Sequence, residues 1–218
     1  MAVAAFDLDN TLLAGDSDYL WGMFLVEEGL VDREAYETAN QRFYEDYQAG
    51  SLDIEAFLRF SLRPLSEHPV AQLNAWHKQF MARHIEPIIT QKGSEALEEH
   101  RRKGDTLIIV TATNSFVTAP IAQRLGVSHL IATQARIVDG RYTGEVEGTP
   151  SFQEGKVERL GQWLTEQEQT LDGSWFYSDS RNDLPLLEQV NNPVAVDPDD
   201  TLASIARARG WPIRSFRD

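Results

Sequence analysis

The sequence predicts an α/β fold, a doubly wound parallel sheet with a helical insertion after its first strand, and three observations predict it. From Pro87 onward, short apolar runs alternate with segments of helical periodicity, and strands joined through helices give a parallel sheet covered on both faces. Between the first apolar run and this alternation, the stretch from Ser17 to about Ile85 is helical in pattern throughout. Several apolar runs also stop abruptly at acidic or hydroxyl residues, as strand ends do where they open onto a ligand crevice.

The elements follow in order. Ala2 to Phe6 is short and apolar and reads as a buried strand that stops at Asp7. The helical stretch carries apolar residues at Leu20, Phe24 and Leu25, then Tyr36, Phe43 and Tyr47, then Val70, Leu73, Trp76 and Phe80, punctuated by Gly50 and Pro64. Next come a helix ending in HRRKG, the strand TLIIV, a helix from Phe116 to Leu125 stopped by Gly126, and the strand HLIA. Residues 134–147 hold two extended runs around Asp139-Gly140, a hairpin signal. A helix over Glu154 to Glu168, the strand SWFYS, a helix over Leu184 to Val190, the strand NPVAV and a helix over Leu202 to Arg209 complete the chain. The expected division is an α/β core of residues 1–15 and 86–218 with the helical insertion at 16–85.

With 218 residues, the chain can bury roughly 70% of its unfolded surface, so no covalent staple is needed. It has no cysteine, which excludes disulfides, thiolate zinc and cysteine nucleophiles and leaves oxygen or imidazole for any metal. A net charge of −14 repels nucleic-acid backbones and anionic lipids, so neither nucleic acid nor membrane is expected as a partner. The N-terminal MAVAAFDLDN meets acidic residues before any basic or long apolar segment, and a cytoplasmic location is expected. The same charge repels anionic substrates, so a phosphate site needs local compensation by a metal or a lysine.

Two acidic signals stand at strand ends. D-L-D-N-T spans Asp7 to Thr11 after the first strand, and S-D-S-R-N-D spans Ser178 to Asp183 after SWFYS. Either alone is compatible with a solvated turn or an acidic helix N-terminus. Gathering Asp7, Asp9, Asp179 and Asp183 in one crevice costs roughly 1 to 4 kcal/mol per close pair. A bound divalent cation removes that cost, and oxygen ligands beside a phosphate point to Mg2+.

FDLDNT resembles the first motif of the haloacid dehalogenase phosphatases, VTATNSF (Val110 to Phe116) the second, Lys156 in QEGKVERL the third, and SDSRND the fourth. The helical segment and the hairpin DGRYTGEVEG resemble the phosphoserine phosphatase-like branch. The resemblance implies that Asp7 attacks phosphorus to give an aspartyl phosphate, and that Asp9 protonates the leaving alkoxide and later activates water. It implies that Thr111 and the Ala112 amide hold phosphate oxygens while Lys156 neutralises phosphate and nucleophile. Mg2+ is expected on the Asp7 carboxylate, the Asp9 carbonyl and Asp179, with Asn182 and Asp183 in support. The insertion is expected to be a cap. Motif two departs from the usual Ser-Gly pair, with Thr111-Ala112 and two extra residues before Phe116.

Members of this branch hold phosphoserine with a glutamate for its amine and an arginine for its carboxylate; here Asp16 stands at the first position and Ser61 at the second. A buried carboxylate without a charged partner is penalised, so the expected substrate is a small phosphomonoester with an amine and no free carboxylate, best matched by L-histidinol phosphate. Arg59 and Arg63, near Ser61 on the same helix, are alternative carboxylate partners that keep phosphoserine open. Phosphoryl transfer to an alcohol, a receiver-type signalling domain and a catalytically silent binding module are further alternatives. The five histidines, His68, His77, His84, His100 and His129, fall outside the motifs, and Trp21 and Trp76 read as core.

Overall fold

A computed structural model describes residues 2–217. Its centre is a seven-stranded sheet in the order β4-β3-β2-β1-β5-β6-β7. The strands are β1 Val3–Phe6, β2 Thr106–Asn114, β3 His129–Val138, β4 Arg141–Glu147, β5 Trp175–Ser178, β6 Asn192–Val196 and β7 Ile213–Arg214. All neighbours pair in parallel except β3 and β4, which are antiparallel. The chain leaves β1 first towards β2 and β3, then returns to its other side for β5 and β6. The order therefore reverses at β1, and the crevice forms at its carboxyl end.

The sheet is covered on both faces because side chains alternate along each strand. Ala4 and Phe6 of β1 join a cluster with Trp21, Phe24, Leu62, Leu73 and Phe80 from the inserted helices. Val3 and Ala5 turn the other way, onto Leu160, Leu186 and Leu202 from the later helices. Those later helices are α7 Glu154–Glu166, α8 Leu184–Leu187 and α9 Asp200–Arg209; α5 Gln91–Lys103 and α6 Ser115–Arg124 lie before them in the chain.

The insertion forms α1 Ser17–Glu27, α2 Arg33–Ala49, α3 Ile54–Glu67 and α4 Val70–Phe80. Asp16, Asp32 and Asp53 cap the first three by accepting bonds from main-chain amides, each cap contributing about 1 kcal/mol. Trp21 packs against Phe24, Phe80 and Phe116 as expected of a core residue.

Three details differ from the expected elements. HLIA and the first arm of the hairpin are one continuous strand, β3, which pairs with β2 along its first half and with β4 along its second. The polar middle that broke the apolar pattern is structural: buried Thr133 donates to the Ala112 carbonyl and accepts from the Ser151 amide. β2 runs on through Asn114, and a register shift between Val110 and Asn114 absorbs the extra residues of motif two. The two-residue β7 is exposed and left no apolar signature.

His100 is buried at the end of the sheet opposite Asp7, with Nδ1 2.9 Å from Asp105 Oδ2 and Nε2 2.9 Å from the Tyr177 hydroxyl. Asp105 also accepts a bond from the Ala2 amide at the start of β1. Replacing His100 with phenylalanine would strand both partners, and we expect a loss of about 2–4 kcal/mol in urea unfolding with phosphatase activity kept. Unchanged stability would mean the pair is energetically neutral.

Candidate active site

The register of the central strands assembles the site. Phe6 pairs with Ile109 on one side and Tyr177 on the other, so the residues just beyond these three strand positions emerge side by side. Asp7, the next residue, donates its amide to the Tyr177 carbonyl at 2.9 Å. The chain then turns sharply: Asp9 is extended at φ −72°, ψ 134°, and Asn10 is left-handed at φ 55°. Asparagine tolerates that conformation better than most residues.

Asp7 is buried, and its Oδ1 accepts a hydrogen bond from Lys156 Nζ at 2.8 Å. Its Oδ2 accepts a longer one, 3.4 Å, from the Thr11 hydroxyl. Burial pushes the Asp7 carboxyl up to about 7; Lys156 opposes this, while Asp183 and Asp9 add to it. Lys156, from the first turn of α7, is only 1% exposed and lies 2.7 and 2.9 Å from the two carboxylate oxygens of Asp183. Burial pulls its ammonium down, but Asp183 and Asp7 more than offset that and hold it above the ordinary lysine range. Asp183 is braced in turn by the Ser178 hydroxyl at 2.7 Å.

Asp9 is half-buried. Its Oδ1 accepts from the Ser17 amide at 2.6 Å and its Oδ2 from the Thr113 and Thr111 hydroxyls at 2.9 and 3.4 Å. Desolvation raises its carboxyl above the ordinary value against these hydrogen bonds. Asp179 stands across Thr11 from Asp7: its amide donates to Thr11 Oγ1 at 3.2 Å, and its Oδ1 lies 3.3 Å from the same hydroxyl. Burial, Asp7 and Asp183 push Asp179 well above the carboxylate range. Asn182 ties this loop to α2, with its Nδ2 donating to the Tyr47 carbonyl at 3.1 Å.

The strand-end acids, Lys156, Thr111 and Ala112 are thus brought together as the sequence suggested. Thr113, Ser178 and Asn114 also belong to the network, and the first two look like ordinary buried strand residues in sequence.

Beside these groups opens a cleft of about 560 Å³, part of it open solvent, lined by Asp7, Asp9, Thr111 and residues of α1, α2 and α3. Asp16 lines it, as expected, while its Oδ1 caps α1. Burial and Asp9 hold its carboxyl well above the ordinary range. The other specificity residues correct the sequence reading. Ser61 is buried, makes no hydrogen bond through its hydroxyl and does not line the cleft. Arg59 and Arg63 point to solvent and face Glu55 at 3.8 Å and Glu67 at 3.1 Å. Both lie two positions from Ser61, a rotation of roughly 200° around the helix, so an inward Ser61 forces them outward. Among the described residues no lysine or arginine lines the cleft, whereas four aspartates do.

What the crevice gathers is the equipment of a phosphoryl-transfer enzyme built on a doubly wound sheet. The chain matches the haloacid dehalogenase-like hydrolases over residues 4–188, belongs to that family and is a phosphatase. It is 45% identical over 219 residues, 99% of each chain, to a histidinol-phosphatase of Neisseria meningitidis. A solved protein of unknown function from Bordetella pertussis superposes with a TM-score of 0.94 at 47% identity, covering 99% of both chains. A phosphoserine phosphatase solved as a phospho-aspartyl intermediate analogue shares the fold, with a TM-score of 0.72 at 19% identity over 99% of this chain and 93% of that one. Membership of a hydrolase family sets aside the receiver-type and binding-module readings. No helix among the described residues is long and apolar enough to cross a membrane.

Proposed function

We propose that the chain hydrolyses a small phosphomonoester bearing an amine and no free carboxylate, best L-histidinol phosphate, through an aspartyl phosphate on Asp7. The observation that carries the substrate reading is a cleft lined by four aspartates and, among the described residues, by no cationic side chain. Phosphoserine would bring a carboxylate there with nothing to pair it, and an unpaired buried charge is costly. The Neisseria relative supports the same choice.

In this reading Asp7 attacks phosphorus as the ester bond to the leaving oxygen breaks, and Asp9 gives that oxygen its proton. The raised Asp9 carboxyl suits the donor. The same carboxylate then takes a proton from the water that splits the aspartyl phosphate. Thr111 and the Ala112 amide hold the non-bridging oxygens, and Lys156 balances the charge on Asp7 and the phosphoryl group. The helical insertion, residues 16–85, acts as a cap over the core of residues 1–15 and 86–218.

The donor set fits Mg2+. Asp7 Oδ2 and Asp179 Oδ1 share one hydroxyl contact, and Asp179 has no ion-pair partner among the described residues. Mg2+ takes few carboxylates and completes its shell with water and phosphate oxygen. Asp7, the Asp9 carbonyl and Asp179 would hold it, with Asp183 and Asn182 supporting the loop. When bound, it supplies positive charge to the phosphoryl oxygens.

A phosphate-release assay with Mg2+ tests the reading. We expect kcat/KM for histidinol phosphate to exceed that for phosphoserine by about 100-fold, the order lost when a charged group is left unpaired. A preference for phosphoserine would refute the substrate assignment. Adding alcohols and finding no new phosphoester would separate hydrolysis from transfer.

A further inference from the structure

The cleft holds a second carboxylate that the amine of such a substrate does not need. Asp18, in the first turn of α1, is 8% exposed and lines the cleft beside Asp16. The one hydrogen bond that its carboxylate accepts among the described residues comes from Asn114 Nδ2, 3.2 Å from Oδ1. Asn114 is itself fixed, since its Oδ1 accepts from the Val117 amide at the start of α6. A neutral amide orients Asp18 without supplying a counter-charge, burial and Asp9 push its carboxyl up to about 7, and Oδ2 has no protein partner among the described residues, so a cation in the cleft is what would hold it ionised.

Two carboxylates in one desolvated cleft are costly unless each meets a cation. Both feel the charge of Asp9, but they are held differently: Asp16 Oδ1 accepts from the main-chain amides of Asp18 and Tyr19 at the start of α1. Asp18 is anchored instead to the end of β2, and Phe43, Tyr44 and Phe57 line the same cleft. Aromatic walls around a carboxylate suit a flat cationic ring, which stacks on them and is attracted by their faces.

Building on the phosphatase reading above, we propose that Asp18 is a specificity residue: it pairs with a second cationic nitrogen, carried on an aromatic ring, while Asp16 takes the aliphatic amine. The substrate class is then a phosphomonoester with two basic nitrogens, the amine nearer the phosphate. A substrate with the amine alone leaves Asp18 buried without a cation.

The test compares histidinol with alaninol, the same amino alcohol without the ring, by calorimetric titration of the Mg2+-loaded protein. We expect histidinol to bind the wild type more tightly. Asp18→Asn should weaken histidinol by about 10- to 100-fold, the range for a hydrogen bond to a charged group, and alaninol by less than about 3-fold on the same scale. The alaninol titration also reports that the variant is folded, and Asp18→Ser should repeat the pattern if the charge, not the amide shape, is what matters. Equal losses for both ligands, or no loss for histidinol, would overturn the proposal while leaving the phosphatase reading intact. If the wild type turns over other amino-alcohol phosphates but neither binds histidinol nor hydrolyses its phosphate, the substrate reading and this inference fall together.

Discussion

Replacing Asp7 with asparagine should lower phosphate release by about 10,000-fold or more, the order seen when a nucleophile that works as a unit with its neighbours is removed. The amide keeps the shape of the carboxylate but cannot form the acyl phosphate. The fold should survive. Lys156 keeps both oxygens of Asp183 within 2.9 Å, so its charge stays paired, and the change removes one of several carboxylates that raise each other's pKa. Urea unfolding of the metal-free variant should therefore show stability equal to or above that of the wild type. Retained turnover would refute the nucleophile; lost turnover with an unfolded protein would leave it to be settled by trapping phosphate on the wild-type residue with acid quench.

Most of this site was legible because it lies where the chain punctuates itself. Asp7, Asp179 and Asp183 follow buried strands directly, and a carboxylate at the end of an apolar run breaks the pattern visibly. Parallel register then does the rest, since the end of β1 lies level with Ile109 of β2 and Tyr177 of β5, and the residues that follow these positions enter the same crevice. Ser178 and Thr113 were not legible: a hydroxyl inside a strand is common filler, and only coordinates show one bracing Asp183 and the other holding Asp9.

The direction of the cap arginines stays open in the sequence for a different reason. Glu55, Arg59, Arg63 and Glu67 recur at intervals of four, which makes a solvated stripe of ion pairs on one face of α3. Seen that way, the spacing itself argues that the arginines turn away from the buried Ser61. Asp18 gives no functional signal in sequence, because an acidic residue in the first turn of a helix has a sufficient local explanation in the helix dipole. Its burial against Asn114, 96 positions away, is a tertiary fact that no local pattern carries.

Removing Lys156 should have the largest effect on stability. A methionine there fills similar space but leaves Asp7 and Asp183, both at most 4% exposed in their side chains, facing each other without a cation. Breaking a buried pair in this way costs about 3–5 kcal/mol. The sign with pH follows from Asp7: burial raises its carboxyl and Lys156 opposes that rise, so without the lysine stability is greatest while Asp7 is protonated and falls as pH rises through the ordinary carboxylate range towards neutrality. Adding Asp183→Asn to Lys156→Met removes one of the two stranded charges and should restore a good part of the loss near pH 7, without restoring turnover, because Asp7 and the transferring phosphoryl group still lack their balancing charge. Urea unfolding at pH 5 and pH 7 on the two variants reads both effects. If Lys156→Met were as stable as the wild type at pH 7, the lysine would not be the element that allows two buried carboxylates to coexist, and its role would be confined to the bound phosphate.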